Sequence, residues 1–148
     1  MSEATVSIEL RQQHDYQFLV EFGNGVIPLL ADEPPPLGQA GGPSPVQLLA
    51  AAVGNCMSNS LLFALRKYRQ SPEPLSSRIT ALLGRNAENR VRVVGLQAEL
   101  RLGVPAASLQ HLDRVLATFE DYCTVTRSVA AGIPVTVSVY DSTGTQLK

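Results

Sequence analysis

Cys56 and Cys123 are the only cysteines in the chain, and thiol chemistry is the sharpest reactivity the sequence offers. Cys56 stands in an uncharged run from Pro34 to Leu65. A thiol there is either an inert core residue or a redox centre shielded from water. To react it must ionise, and burial alone raises a thiol's pKa. It lies roughly three turns inside the helix that carries it, beyond the reach of the N-terminal dipole. A cation must therefore arrive from elsewhere.

Cations are scarce where they are needed. Residues 1–65 hold six acidic side chains against the single base Arg11, whereas the remainder holds eleven bases against seven acids. Arg11 could approach Cys56 from the N-terminal hairpin. Cys123 has nearer help, because it precedes a possible short helix whose first amides would favour a thiolate, with Arg127 one turn on. His14 and His111 have no ligand spacing to each other or to the cysteines, so no zinc site is implied. They read as turn and polar-face residues. Asn55 and Asn59 either line a pocket or bond to a neighbouring helix, and Asp113 and Glu120 read as solvated.

The elements that must position these groups follow from pattern. Val6, Ile8 and Leu10 alternate with polar residues, as do Tyr16, Phe18, Val20 and Phe22, with a turn at Gln12–Asp15 between them. Asn24-Gly25 supplies a second turn before a strand at Val26–Leu30. Residues 31–44, rich in Pro and Gly, are a loop. Ser44 as N-cap, Pro45 at the first helical position and Gln47 completing a capping box predict a sharp helix start. That helix should run to about Tyr68. Its apolar residues circle the axis, so it should be covered on all sides.

After Pro72 and Pro74 come a strand around Ile79–Leu83, a turn at Asn86–Asn89, and a long strand with a bulge near Gly95, where the apolar phase switches. A helix over Ala106–Tyr122 should place Cys123 at the end of its core stripe. A short helix at Val125–Ala131 and a strand through Val135, Val137 and Val139 complete an α+β order of about six strands, with helices on one sheet face. A second copy is the simplest cover for the long helix, which predicts a two-fold homodimer.

Composition bounds the reading. The 148 residues suit one domain spanning 1–148, and 45% hydrophobic with 17% charged residues describes a folded chain. Net charge is −1, with no basic cluster longer than Arg66-Lys67, so neither nucleic acid nor an anionic membrane is implied as a partner. Leu48–Leu65 approaches spanning length, but Gly54, Asn55, Ser58, Asn59 and Ser60 sit at its centre, which favours a buried protein helix. The N-terminal residues show no basic-then-apolar leader, and a cytoplasmic location is expected.

Two stretches carry a resemblance. Asp32-Glu33-Pro34, Leu37-Gly38 and the run Ser44-Pro45-Val46-Gln47-Leu48-Leu49-Ala50-Ala51 leading to Cys56 resemble the OsmC/Ohr family. So does Tyr122-Cys123-Thr124-Val125-Thr126-Arg127-Ser128-Val129. The element order agrees over nearly the whole chain. The resemblance implies an intertwined homodimer of OsmC-like fold that reduces organic hydroperoxides. In that scheme Cys56 is the peroxidatic thiolate, Cys123 the resolving thiol and Arg11 the candidate cation. A lipoyl-type dithiol would be the reductant, and no cofactor is implied.

The chain departs from the family pattern at Val46, where active members carry the Glu that aims the arginine. Glu33 could stand in only if its loop folds back. Thr124 replaces the Pro that follows the second cysteine. The alternative reading is a non-catalytic member that binds a small apolar ligand at the dimer interface, with the cysteines as pocket lining.

Overall fold

The computed structural model describes residues 3–148, which form two compact units, one ending at Leu48 and the other spanning Leu49–Lys148. The first holds an antiparallel meander of β1 (Glu9–His14), β2 (Gln17–Glu21) and β3 (Leu29–Ala31), in that order. Leu10 pairs with Val20, and Val20 with Leu29.

The meander is shifted from its predicted bounds. Gln12, Gln13 and His14 belong to β1, with an irregularity between Gln12 and His14, and the turn is the tighter Asp15-Tyr16. Asp15 takes the left-handed conformation (φ 49°), which a short polar side chain tolerates. Val6 and Ile8 precede the strand and are exposed. The Asn24-Gly25 turn is present, both residues having positive φ. β3 starts only after Pro28, because a residue without an N–H interrupts the ladder.

One carboxylate organises the loop that follows. Asp32 is buried and accepts bonds from the amides of Glu33 (2.7 Å), Gln39 (3.2 Å) and Gly41 (3.0 Å) and from the Gln17 side chain (3.3 Å). These donors, Gly41 foremost, hold its pKa below the usual carboxylate value. Backbone packs on backbone here. A Cβ at Gly42 would fall 1.7 Å from the Leu30 carbonyl oxygen, so no other residue fits.

The long helix α1 (Pro45–Lys67) opens as predicted. The Ser44 amide donates to Gln47 Oε1 (2.9 Å), and the Gln47 amide donates to Ser44 Oγ (3.2 Å). In the second unit its buried face is one stripe, Val53, Met57, Leu61 and Leu65, with Gly54 alongside. Ala51, Ala52, Asn55, Asn59 and Phe63 face outward, so within one chain the helix is not covered all round. By length and composition α1 could cross a membrane, but its stripe packs into a protein core.

That core lies against a second sheet. β4 (Ser76–Arg85) and β5 (Val91–Arg101) form a long antiparallel hairpin, and β6 (Val135–Tyr140) joins β5 in parallel. Asn86 Oδ1 secures the hairpin turn by accepting from the amides of Glu88 and Arg90. Leu82 pairs with Gly95 and Leu83 with Val93, leaving Val94 as the extra residue of a bulge one position from the predicted one. Beyond it Leu96, Ala98 and Leu100 face the core, continued by Leu102. A Cβ at Gly54 would come within 2.6 Å of Ile79 Cγ1, so this glycine lets α1 lie close upon β4.

The predicted helix over Ala106–Tyr122 is instead three pieces: a 3₁₀ turn at Ala106–Ser108, α2 (Leu112–Thr118), and a 3₁₀ turn at Phe119–Tyr122. His111 adopts φ 60°, and the Gln110 amide donates to Gln70 Oε1 (2.9 Å), which breaks the helix before α2. The stripe survives the break, since Val115, Leu116, Phe119 and Cys123 are all buried. α3 (Thr124–Ala130) follows, and Thr126 donates its buried hydroxyl to the Val53 carbonyl (3.4 Å), tying α3 to α1. Asp141 is the second buried carboxylate. It accepts from Thr143 Oγ1 (2.6 Å) and from the amides of Ala106 (3.0 Å), Thr143 (2.9 Å) and Thr145 (3.0 Å).

Two measurements check this core. Leu61→Ala removes a fully buried side chain and should cost about 2–5 kcal/mol in urea unfolding. Asp141 has its pKa lowered to about 2, chiefly by the Thr143 hydroxyl. Its contribution is therefore complete above the unfolded value near 3.8 and is lost as pH falls through about 2. Asp141→Asn should lower the urea midpoint at pH 7, with the deficit shrinking steadily as pH drops from about 4 towards 2.

Candidate functional site

Cys56 sits at the border of the α1 stripe, one position from buried Met57, and is half-buried. Asn59, Ser60 and Phe63 follow it at i+3, i+4 and i+7, the spacing of one helix face. With Tyr122 and Thr124 they line an open hollow of about 350 Å³. Cys123 is sealed at 0% exposure, in the non-helical residue (φ −82°, ψ 88°) between the last 3₁₀ turn and α3.

The fold brings the two thiols together. Cys123 Sγ lies 4.0 Å from the Cys56 carbonyl oxygen and 3.9 Å from that of Phe119, acceptors suited to a neutral S–H. Burial pushes the Cys123 pKa up, the Ser60 hydroxyl bond works against that, and the neighbouring Cys56 adds to the rise.

The shielding expected of Cys56 is only partial, and the local help expected at Cys123 is not found. Cys123 is the deeper thiol and Cys56 the accessible one. The amides at the start of α3 do not overcome burial at Cys123. Arg127 is exposed on α3, and its amide donates to the Cys123 carbonyl (2.8 Å), not to the sulfur. Thr124 is the first residue of α3 and lines the hollow, while Cys123 holds the cap position.

Arg11 lies in β1, exposed, with Nε 2.8 Å from Glu21 and Nη2 2.9 Å from Glu9. Glu21 chiefly raises its already high pKa. Among the described residues, none that lines the Cys56 hollow is charged. Val46 occupies the first turn of α1, which carries no acidic side chain.

Asn55 and Asn59 bond to each other (3.2 Å), not to a neighbouring helix. Glu120, expected to be solvated, is half-buried and paired with Lys148. His14 is the last residue of β1, 3.1 Å from Asp15. His111 precedes α2 with its ring stacked on Tyr68 at 4.7 Å. Among the described residues no three His, Cys, Asp or Glu side chains converge as metal ligands.

Sequence reasoning missed Ser60 as a partner of Cys123 and Phe63 and Tyr122 as walls. The four-residue step from Cys56 to Ser60 was the available signal. Tyr122 had none, because a continuous helix through Ala106–Tyr122 would have pointed it elsewhere. A second hollow of about 470 Å³, lined by Phe63, Lys67, Tyr68, Arg114, Thr118 and Tyr122 among others, shares Phe63 and Tyr122 with the first.

The fold that holds this site is shared with known structures. The chain superposes on an OsmC-like protein of unknown function from Vibrio cholerae with a TM-score of 0.74, at 20% identity over 94% of this chain and 99% of that one. An organic hydroperoxide resistance protein OsmC from Legionella pneumophila gives 0.64, at 20% identity over 93% and 98%. The organic hydroperoxide resistance protein OhrB of Bacillus subtilis gives 0.64, at 15% identity over 92% and 98%. No curated protein matches the sequence significantly. The family model for OsmC-like proteins matches residues 38–138, which include both cysteines, and the chain belongs to the OsmC-like protein family.

Proposed function

We propose that the protein is a thiol-dependent peroxidase acting on organic hydroperoxides, in keeping with the hydroperoxide-resistance names of two structural relatives. The observation that carries this reading is the asymmetric thiol pair: Cys56 on an open, partly apolar hollow, with the neutral Cys123 thiol packed behind it. Ionised Cys56 attacks the terminal peroxide oxygen, the O–O bond breaks, and the alkoxide takes a proton from water to leave as an alcohol. The Cys56 sulfenic acid condenses with the Cys123 thiol, releasing water and forming a disulfide. An external dithiol of lipoyl type returns both thiols by exchange and is itself oxidised. Asn59 and Ser60 are the polar groups of the hollow available to orient the peroxide.

Arg11 is the cation proposed to favour the Cys56 thiolate, which would require it to exchange Glu9 or Glu21 for the active centre. A homodimer is part of the same proposal. In the N-terminal unit Val20 is the one fully buried apolar side chain among the described residues, while Leu10, Phe18 and Ile27 are exposed. A three-stranded sheet of that size needs its apolar face covered. The second reading, a ligand binder in which the cysteines only line the pocket, is favoured by the uncharged Cys56 hollow and by Val46.

Thiol titration separates the two. One equivalent of cumene hydroperoxide should consume both thiols of the native protein. In Cys56→Ser the remaining thiol should survive; in Cys123→Ser a dimedone-reactive sulfenic acid should accumulate. Two intact thiols under excess peroxide would leave the binder. Independently, iodoacetamide should label Cys56 at least about tenfold faster than Cys123 in the folded protein, because Cys56 is accessible whereas Cys123 is sealed and its pKa is raised by burial. Equal rates, by peptide mass spectrometry, would contradict the asymmetry.

A further inference from the structure

We propose that Ser60 is a positioning residue for the resolving step: its hydroxyl donates to the Cys123 sulfur and lets that sealed thiol attack Cys56. The proposal rests on the peroxidase reading for the step it serves. The role itself stands on the geometry of α1 and of the residues before α3.

Ser60 and the Cys123 sulfur meet at one oxygen. In an α-helix the amide of each residue bonds to the carbonyl four positions earlier, so the Ser60 amide addresses the Cys56 carbonyl. Cys123 Sγ lies 4.0 Å from that same carbonyl oxygen. Ser60 is half-buried and also lines the hollow that Cys56 opens on. It therefore stands between a sulfur without access to solvent and a space that has it.

The hydroxyl is also released from its ordinary partner. Ser58, Thr118 and Ser128 each donate to the carbonyl four residues back, a common habit of helical hydroxyls. For Ser60 that carbonyl belongs to Cys56 and already faces Cys123. The Ser60 hydroxyl bonds to the sulfur instead.

Cys123 needs such a donor. Leu116 and Phe119 share its buried cluster, and β6 contributes only Val135, Val137 and Val139 to it. The two carbonyls near its sulfur suit a thiol but repel a thiolate. Cys56 and Glu120 both disfavour the anion, and Glu120 is paired with Lys148. Arg127 is exposed and reaches Cys123 only through its backbone amide. Among the described residues that act on this thiol, Ser60 is the one that favours ionisation.

In resolution the Cys123 sulfur supplies the electron pair of the new S–S bond, and the S–O bond of the Cys56 sulfenic acid breaks. The sulfenic sulfur is reduced, the thiol sulfur is oxidised, and the departing hydroxide leaves as water with the proton that Cys123 gives up. Ser60 holds the sulfur while that charge develops.

Thiol exchange with dithiobis-nitrobenzoate tests this without peroxide. Accessible Cys56 takes up the reagent and releases one thionitrobenzoate; Cys123 then attacks the mixed disulfide and releases a second. Cys123→Ser should show the first phase alone. In Ser60→Ala the first phase should be unchanged and the second at least about threefold slower. Losing a hydrogen bond to a charged atom cuts the thiolate population about tenfold, partly offset by the roughly threefold greater nucleophilicity of a more basic sulfur. Ser60→Thr, which keeps the hydroxyl, should restore the native rate. A second phase unmoved in Ser60→Ala, a Thr variant as slow as the Ala one, both phases slowed alike, or a single release from the native protein would each overturn the proposal. Native protein that exchanges as expected yet ignores cumene hydroperoxide would sink the peroxidase reading and leave Ser60 its role; turnover with peroxide and no effect of Ser60→Ala would do the reverse.

Discussion

The second unit depends on the contact between the α1 stripe and the sheet beneath it. Val53, Met57, Leu61 and Leu65 recur at four-residue steps, and Leu96, Ala98 and Leu100 at two-residue steps, so a helical and a strand period are brought into register on one surface. Gly54 makes the approach close enough for Ile79 to fill the space a side chain would need. Once that register is set, the helix has no rotational freedom. Cys56 must fall at the edge of the contact, where one side meets packed core and the other meets the hollow.

The chemistry of the pair follows from that edge. A residue one position further round would be wholly buried, as Met57 is, or fully outward, as Asn55 is. Cys123 reaches the same place from the other direction, at a break between a 3₁₀ turn and α3. There its sulfur faces carbonyl oxygens and the Ser60 hydroxyl. One thiol is accessible and the other is kept protonated by its surroundings, a division of roles suited to attack followed by resolution. Low polarity around Cys123 has the same origin as the stability of the core, because Cys123 belongs to the same buried cluster as Leu116 and Phe119.

Much of this arrangement was legible in the chain. The capping box fixed the start of α1 to the residue, because its reciprocal bonds need only local sequence. The bulge in β5 was visible as a change of apolar phase, and the short helix after Cys123 appeared where its pattern began. The broken helix was not legible. His111 and Gln110 leave helical geometry for partners distant in sequence, Tyr68 and Gln70, and a periodic stripe carries no trace of such a choice. The bounds of the meander failed for a related reason. Its apolar residues are largely exposed in one chain, so alternation there did not mark where pairing begins.

The depth of the cysteines failed differently. An uncharged run suggested that Cys56 was shielded from water, but its face of α1 also carries Asn59 and Ser60, and those small polar residues leave it open. Cys123 follows Asp121 and Tyr122, both exposed, yet it is sealed. Hydropathy averaged over neighbours cannot report a direction that changes with each residue.

The extra residue at Val94 has an effect on how this sheet can evolve. Losing one residue from a strand ordinarily turns every subsequent side chain to the wrong surface. Here Leu82 already faces Gly95 and Leu83 already faces Val93, with Val94 unpaired between them. Excising it would join two ladders that are already aligned, leaving Leu96, Ala98 and Leu100 inward. In β5 that position can absorb a shortening without turning the core outward, at the expense of local twist alone.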